Sequence, residues 1–341
     1  MNNTFIQACR GQKTDYTPVW LMRQAGRYLP EYRKIRGKVD FLTLCKTPEL
    51  AAEVTMQPVD ILKVDAAILF SDILIPVEAM GMKLEFSEAK GPIIYSPVRD
   101  SVAVDRLRRL DPKADVPFVV DAIKLLLKQL DVPLIGFSGA PFTLATYMIE
   151  GGSSKNFVNS KSMMYQNPGL FHKLMEKLTL TVTDYLRAQI DAGVHAVQIF
   201  DSWAGVLSPY DFRTYALPYV KQIIAGLATK IPVIYFPLNT SAMLPLAKES
   251  GADVIGLDWR IEIAQAVETL GHGVAVQGNL DPTILFGSKE IIRERVTNIL
   301  QGAVNAQGHI FNLGHGILPE TPVDNAVAMV AAVHEMSLKN R

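Results

Sequence analysis

Two arginines lie four positions apart, Arg23 and Arg27, directly after the short apolar run of residues 19–22. A guanidinium group binds a carboxylate or phosphate through two parallel hydrogen bonds and stays charged at any working pH. Two such groups following a strand predict a pocket for an anion that carries several negative charges. The alternative is a solvated basic turn.

Asp72 is an acidic residue between two apolar runs, residues 66–70 and 73–76. A carboxylate in this setting is partly buried, where it can accept hydrogen bonds from N–H groups and stabilise positive charge on a substrate. The alternatives are a helix N-cap or a structural partner for an arginine.

Tyr147 follows a tight turn, Gly139-Ala140-Pro141, that leads from a strand into a helix. Because residues four apart share a helix face, Thr143 and Tyr147 are predicted to align. The tyrosine hydroxyl could then donate a hydrogen bond to a ligand carboxylate. The alternative is a half-buried tyrosine with a hydrated hydroxyl group.

His315 and Ser202 also follow apolar runs. His315 has a glycine on each side, which would let backbone approach a ligand closely; the alternative is a loop histidine without a function. Ser202 lacks a nucleophile-elbow context, so a hydroxyl donor to a carboxylate is favoured over an acyl-transfer nucleophile. No histidine pair has metal-ligand spacing, and no phosphate-loop or flavin motif is present, so neither metal nor cofactor is predicted.

The segments that carry these residues alternate between strand and helix. Eight short apolar runs have the character of strands buried on both faces, at residues 18–23, 64–71, 133–139, 196–202, 232–237, 253–259, 273–280 and 309–315. Helical periodicity lies between them, at residues 47–59, 116–130, 168–192, 209–229, 241–250, 261–270, 289–306 and 323–336. Thr47-Pro48-Glu49 is a typical helix start, and Gly193, Gly251 and Gly271 follow helices directly.

This alternation predicts an α/β fold, a single (β/α)8 TIM barrel over residues 1–341 with decorated loops in its first half. One decoration is a hairpin of residues 83–86 and 93–95 around residues 88–91. An open doubly wound sheet is the alternative, but no GxGxxG follows the first strand. In a barrel the candidate side chains meet at the carboxyl ends of the strands, where active sites form.

Composition limits the partners. The 341 residues include 34 Lys and Arg and 34 Asp and Glu, and a net charge of zero argues against a nucleic-acid surface. The positive charge is local, since residues 23–38 hold six basic side chains and one acidic one, Glu31. Two cysteines, no signal peptide and no apolar stretch of about 18 residues predict a soluble cytoplasmic protein without a membrane association.

Six segments together resemble the uroporphyrinogen decarboxylase family, in order and over nearly the whole chain. The two longest are PVWLMRQAGRYLPEYR at residues 18–33 and GFSGAPFTLATYM at residues 136–148. The others are FSDIL at residues 70–74, FDSWAG at 200–205, QGNLDP at 277–282 and NLGHG at 312–316. One departure is the sequence FPLNTS at residues 236–241, where relatives usually have glycine or a basic residue.

The resemblance implies a barrel homodimer, without cofactor or metal, that converts uroporphyrinogen III to coproporphyrinogen III by removing carbon dioxide from four acetate side chains. It places substrate contacts on Arg23, Gln24, Ala25, Gly26, Arg27, Asp72, Tyr147, Ser202 and His315. Of these, Asp72 is expected to stabilise a pyrrole cation, and Arg23 to grip a carboxylate and take part in proton delivery.

Two other functions fit parts of the pattern. Zinc-dependent methyltransferases of corrinoid metabolism belong to the same superfamily and use a histidine and a cysteine, whereas both cysteines here, Cys9 and Cys45, precede residue 46 and no His-x-Cys occurs. A non-catalytic tetrapyrrole carrier could use the same pocket, but the combination of Arg23, Arg27 and Asp72 favours an enzyme.

Overall fold

The computed structural model describes residues 2–87 and 91–338. In these ranges the strands are β1 Ala67–Ile68, β2 Lys83–Ser87, β3 Gly91–Tyr95, β4 Leu134–Gly139, β5 Ala196–Asp201, β6 Val233–Pro237, β7 Val254–Gly256, β8 Ala275–Gln277 and β9 His309–Ile310. Within that part of the chain, seven of them form one curled parallel sheet in the order β1-β4-β5-β6-β7-β8-β9. The fold is therefore α/β, and seven of the eight predicted strands are confirmed, most of them shorter than predicted.

The predicted strand at residues 18–23 forms only a single parallel bridge, between Val19 and Phe311. The Phe311 N–H donates to Pro18 O (2.8 Å), and on the other side the Asp65 N–H donates to Val19 O (2.8 Å). Residues 18–20 thus bond both to the segment after β9 and to the segment before β1. The extended stretch ends early because the chain turns back at Gln24, whose N–H donates to Leu21 O.

Helices follow the strands and cover the sheet. They are α1 Thr4–Cys9, α2 Pro30–Arg36, α3 Phe41–Lys46, α4 Pro48–Leu62, α5 Ile75–Ala79, α6 Ser101–Arg106, α7 Pro112–Asp115, α8 Pro117–Leu126, α9 Pro141–Glu150, α10 Val158–Gln166, α11 Pro168–Ala192, α12 Pro209–Asp211, α13 Leu217–Leu227, α14 Leu244–Lys248, α15 Ile263–Leu270, α16 Lys289–Gly302 and α17 Val323–Ser337. Short 3₁₀ segments occupy Ala204–Val206, Ser241–Met243 and Pro282–Phe286. None of the helices in the described ranges is both long enough and apolar enough to cross a bilayer.

Helix boundaries follow the proline and glycine signals. The helix predicted at residues 168–192 is observed as α11 with the same ends, and Gly193 after it is left-handed (φ 109°). The helix predicted at residues 209–229 is interrupted by a π-helical turn, Phe212–Ala216. Pro218 has no N–H to donate into the preceding turn, which explains the local change in hydrogen bonding. Thr47 precedes α4, but its hydroxyl donates to Thr43 O rather than capping α4.

The predicted hairpin is present as β2 and β3, paired antiparallel from Lys83 with Tyr95 to Ser87 with Gly91. Residues 88–90 of its predicted turn lie outside the described residues. The Ile94 N–H donates to Gly151 O (2.9 Å), so the hairpin packs beside the C-terminal end of α9.

The sheet is buried on both faces, as the continuous apolar runs predicted. Every residue of β4 and β6 is buried. Inside the curl, the fully buried Trp20 donates from Nε1 to Gln277 Oε1 (2.9 Å), and Gln277 Nε2 donates to Gln198 Oε1 (3.0 Å). These bonds satisfy Trp20 Nε1 and both polar atoms of the Gln277 amide, which would otherwise be costly in the core.

Candidate active site

The turn that carries Arg23 is held from both sides. The Met22 N–H donates to Asn312 Oδ1 (3.0 Å), after β9, and Gln24 Nε2 donates to Ala66 O (3.1 Å), before β1. Arg23 itself has a left-handed backbone (φ 60°) and an exposed side chain. A positive φ is uncommon for a residue with a Cβ, so this turn is strained at the residue that is expected to meet substrate.

The five consecutive residues predicted to contact substrate do not behave alike. Gln24 is fully buried, its Oε1 accepts from the Leu21 N–H and its Nε2 donates to Ala66 O, so its side chain faces inward and its substrate contact stays a prediction. Ala25 and Gly26 are partly exposed. Arg27 is exposed; burial raises the pKa of Tyr32, and the charges of Arg36 and Arg27 oppose that rise.

Asp72 follows β1 by four residues and is partly exposed. Its Oδ1 accepts from the Leu74 N–H (2.8 Å), just ahead of α5, and no other side-chain bond to this carboxylate occurs in the described ranges. Desolvation raises the pKa of Asp72 to about 6, against the opposing effects of the Leu74 hydrogen bond and the Arg23 charge. Asp72 therefore caps a turn with one oxygen and leaves Oδ2 for a ligand.

Tyr147 lies on α9, with its ring centroid 5.9 Å from that of Trp203. Desolvation and the charge of Asp72 raise the pKa of Tyr147, while Ser153, Arg23 and Trp203 lower it. Ser202, partly exposed, directly follows β5 and precedes Trp203. The tyrosine hydroxyl thus lies within electrostatic range of both Asp72 and Arg23.

His315 is partly exposed and meets the Trp259 ring edge-on, 6.5 Å between centroids. Desolvation and the charge of Arg23 lower the pKa of His315 to about 4, so the imidazole is neutral near pH 7. The close approach of backbone to a ligand at Gly314 and Gly316 stays a prediction. A Cβ at Gly316 would overlap the Arg23 side chain, and a Cβ at Gly314 would lie 2.5 Å from the backbone nitrogen of Trp259.

Arg23 is the residue that joins the candidates, because its charge acts on Asp72, Tyr147 and His315. Neither Arg23 nor Arg27 forms an ion pair with a carboxylate among the residues that the structure covers. A guanidinium without an internal partner is available to an anionic ligand. The site therefore combines an unpaired cation, a partly desolvated carboxylate and a neutral imidazole at the carboxyl ends of the strands.

Sequence reasoning missed Arg260 beside this site. Its guanidinium lies 4.0 Å above the Trp259 ring, and its charge also lowers the pKa of His315. Asp258, which is buried, accepts from the Arg260 and Asn239 N–H groups (2.8 and 2.7 Å) and so fixes the residue 236–241 loop against the next one. The signal was the position of Arg260 just after β7, close to the acidic residue Asp258.

The His, Cys, Asp and Glu side chains of residues 2–87 and 91–338 form no group of three or more that could hold a metal ion.

A family model and two related proteins each match nearly the whole chain. The family model described as Uroporphyrinogen decarboxylase (URO-D) matches residues 1–336. The uroporphyrinogen decarboxylase of Desulfotalea psychrophila is 57% identical over 340 residues, covering 99% of this chain and 100% of the relative. That of Geobacter sulfurreducens is 55% identical over 342 residues, with 99% and 100% covered.

Among solved structures, a methyltransferase from Methanosarcina mazei is similar with a TM-score of 0.80 at 20% identity, covering 98% of both chains. A B12-independent methionine synthase from Shewanella sp. W3-18-1 has a TM-score of 0.59 at 14% identity, with 87% of this chain and 91% of that chain covered. At these identities the likeness shows a shared fold and carries no function.

Proposed function

The chain belongs to the uroporphyrinogen decarboxylase family, and from this premise we propose how its residues act. It is a carboxy-lyase that decarboxylates uroporphyrinogen in tetrapyrrole biosynthesis. We propose that the product is coproporphyrinogen III, formed from uroporphyrinogen III when each of four acetate side chains becomes a methyl group. The observation that carries the proposal is the unpaired Arg23, whose charge acts on both Asp72 and His315.

The substrate carries eight carboxylates, which fits a neutral protein with local cations at one edge of its sheet. Arg23 would bind one carboxylate through its fork, and Arg27 a second one further out. Tyr147 and Ser202 would donate hydroxyl hydrogen bonds to other side chains of the ring. His315, neutral near pH 7, would orient a side chain by hydrogen bonding and would not serve as an acid.

Removal of carbon dioxide needs an acceptor for the electron pair of the broken carbon–carbon bond. A pyrrole supplies one itself when a proton adds to the ring carbon next to the acetate-bearing carbon, giving an iminium-like cation. The bond to the carboxylate carbon then breaks, its electrons neutralise the cation, and carbon dioxide leaves. A proton added to the exocyclic carbon and loss of the ring proton complete the methyl group, without a cofactor.

Asp72 would stabilise the cation. Its free Oδ2 can accept hydrogen bonds from pyrrole N–H groups, and partial desolvation strengthens its attraction for developing positive charge. Arg23 is the candidate for proton delivery, through the carboxylic acid that it binds or through a water molecule.

The wider architecture is part of the proposal. We infer one domain in which residues 18–20 close the sheet into an eight-stranded barrel, supported by the hydrogen bonds of this segment to Phe311 and Asp65. A homodimer in the cytoplasm is proposed from the family resemblance. Sedimentation of the purified chain would test the dimer.

The test is anaerobic incubation with uroporphyrinogen III and chromatography of the oxidised products. We expect stepwise loss of carboxylates in the wild type and a turnover lower by about 100-fold or more in Asp72→Asn, since one stabilising group in a desolvated site has this effect. Asp184→Asn, which changes a surface pair with Arg109, is the matched control and should be unaffected.

A near-normal turnover in folded Asp72→Asn would exclude the charge-stabilising role. Binding without loss of carboxylates would support the carrier alternative, and stoichiometric zinc that is needed for activity would support a methyltransferase.

A further inference from the structure

The hydroxyl group of Thr143 joins two elements of the site. Thr143 is fully buried on α9; its Oγ1 donates to Asp201 Oδ1 (2.6 Å) and accepts from the Trp203 N–H (3.2 Å). Asp201 ends β5, and Trp203 lies two residues later. One hydroxyl group therefore links the helix after β4 to the turn after β5.

Asp201 is itself held rigidly. Its side chain is fully buried, and Oδ2 accepts from the Tyr235 hydroxyl of β6 (2.8 Å). Its backbone carbonyl accepts from the Leu238 N–H (3.1 Å). No cation pairs with Asp201 in the described ranges, so its two hydrogen-bond donors are what makes its burial tolerable. The Thr143 hydroxyl is thus oriented by a fixed acceptor.

The link lies beside two proposed substrate contacts. Tyr147 is one helical turn from Thr143 on α9, and Ser202 lies between Asp201 and Trp203. The Trp203 ring packs against Tyr147 at 5.9 Å and against Phe157 at 5.1 Å. A shift of α9 relative to the β5 turn would therefore change the separation of the Tyr147 and Ser202 hydroxyl groups.

We infer that Thr143, oriented by Asp201, is a positioning residue that sets this separation for decarboxylation, an inference that rests on the proposed function. It touches no reacting atom. Its role is to keep the two hydroxyl groups at the spacing of the substrate side chains that they hold, so that the macrocycle binds in one reactive orientation.

The decisive variant is Thr143→Val, which replaces the hydroxyl by a methyl group of similar size. Asp201 loses one donor and the Trp203 N–H loses its acceptor, while packing is kept. We expect kcat/KM for uroporphyrinogen to fall by about tenfold or more, mainly in kcat, since small misplacements are costly in oriented reactions. Thr143→Ser keeps the hydroxyl and should restore most of the loss.

Thr179→Val is the matched control, because Thr179 is also buried on a helix but its hydroxyl donates only to Met175 O of the same helix. Its kinetics should equal those of the wild type. Tyr147→Phe and Ser202→Ala are measured in parallel, and Thr143→Val combined with Ser202→Ala should lose less than the product of the two single losses. If Thr143→Val does not fold, Thr143→Ala is used at the same position.

Wild-type kinetics in Thr143→Val, beside impaired Tyr147→Phe and Ser202→Ala, would overturn the positioning role. So would an equal loss in Thr143→Ser, or a loss confined to the melting temperature. Failure of the proposed function gives a different result, because the wild type would then remove no carboxylates.

Discussion

The pKa values of Asp72 and His315 are both shifted, so that each group is neutral in a pH range where the free side chain is charged. Desolvation raises the pKa of Asp72 to about 6, while desolvation and the charge of Arg23 lower that of His315 to about 4. Between these values both groups are neutral, and above pH 6 only Asp72 is charged. The charge that would stabilise a pyrrole cation is therefore available only above about pH 6.

The pH dependence follows from this. We expect kcat/KM of the free enzyme to fall by about tenfold per pH unit below pH 6, because the protonated Asp72 has lost its charge. Acid unfolding through this group is not the cause: its folded pKa lies above the ordinary 3.8, so the protonated form stabilises the fold as pH falls from about 6 to about 4. Rates measured at substrate concentrations well below KM give the profile.

Asp201 requires a control, because burial raises its pKa to about 6 as well. Asp201→Asn removes that titration and keeps an oxygen that can accept from Thr143. The acidic limb should persist in this variant, whatever its absolute rate. A limb that disappears in Asp201→Asn, or a flat wild-type profile down to about pH 5, would assign the pH dependence elsewhere.

The residue types allowed the chemistry of the site to be predicted, whereas the orientations of the side chains were predicted less well. Arg23, Asp72 and Tyr147 were singled out as ionic or hydroxyl groups next to apolar runs, and they lie within electrostatic range of one another. Residue type alone could not show that the Gln24 side chain is buried while the Arg23 side chain is exposed. Its inward direction is set by the backbone of a turn, by the Leu21 N–H donor and by the Ala66 carbonyl acceptor, which no local pattern encodes.

At the scale of elements, the turn after residues 18–20 combines strain with precise placement. Arg23 is left-handed at φ 60°, and its side chain lies where a Cβ of Gly316 would be. The turn is fastened by Gln24 to Ala66 and by Met22 to Asn312, so neighbouring elements maintain a conformation that Arg23 alone disfavours. Strain at the substrate-binding residue then implies a trade-off between stability and activity.

This trade-off is measurable with two variants of Arg23. Arg23→Ala and Arg23→Gly both remove the guanidinium and should lower kcat/KM strongly. Glycine also relieves the left-handed strain, so Arg23→Gly should be more stable than Arg23→Ala by about 1 kcal/mol, although glycine elsewhere costs stability relative to alanine. Free energies of unfolding in urea give the comparison.

The control compares the free energies of unfolding of Gly169→Ala and the wild type, because Gly169 has open space where a Cβ would lie and no positive φ. There alanine should be the more stable residue, in the ordinary order. If Arg23→Ala equals or exceeds Arg23→Gly in stability, the turn is not strained in solution.

A helix with a long apolar period could be predicted with its ends, whereas some short helices could not be predicted. Helix α11 was predicted with both ends, because 25 residues give a clear period and Asn167 and Gly193 bound it. Helices α5 and α7 have five and four residues, too few for a period to stand out. The break in the helix at residues 209–229 depended on the hydrogen-bonding consequence of Pro218, which an apolar pattern does not reveal.

At the scale of the whole molecule, alternation of strands and helices predicted the parallel sheet, whereas the pairing of residues 18–20 depends on contacts remote in sequence. Residues 18–20 make one bridge and a few bonds to partners near residues 65 and 311. Such pairings cannot be derived from local sequence, because a segment with the period of a strand does not specify its neighbours. The net charge of zero did not reveal the cationic site, whereas the six basic side chains within residues 23–38 did.

Asp65 connects these remote segments and provides a test of how the molecule is held together. It is 4% exposed; Oδ2 accepts from the Val19 N–H (2.8 Å) and His334 Nε2 (2.7 Å), and Oδ1 accepts from the Tyr16 hydroxyl (2.7 Å). One carboxylate thus bonds to three parts of the chain: the N-terminal segment at Tyr16, the extended segment at Val19, and α17.

Asp65→Ala leaves these donors without an acceptor, which should lower the free energy of unfolding by about 2–4 kcal/mol, whereas Asp65→Asn, which keeps one carbonyl oxygen, should lose less. Urea unfolding followed by circular dichroism measures the change. Asp184→Ala, which breaks the surface pair with Arg109, is the control and should cost about 1 kcal/mol or less. Val19 leads directly into the turn of Arg23. A looser segment at Val19 should therefore also reduce kcat/KM while the protein is still folded. An Asp65→Ala protein with wild-type stability would mean that residues 18–20 are held by their backbone bonds to Phe311 and to residue 65, without help from the carboxylate.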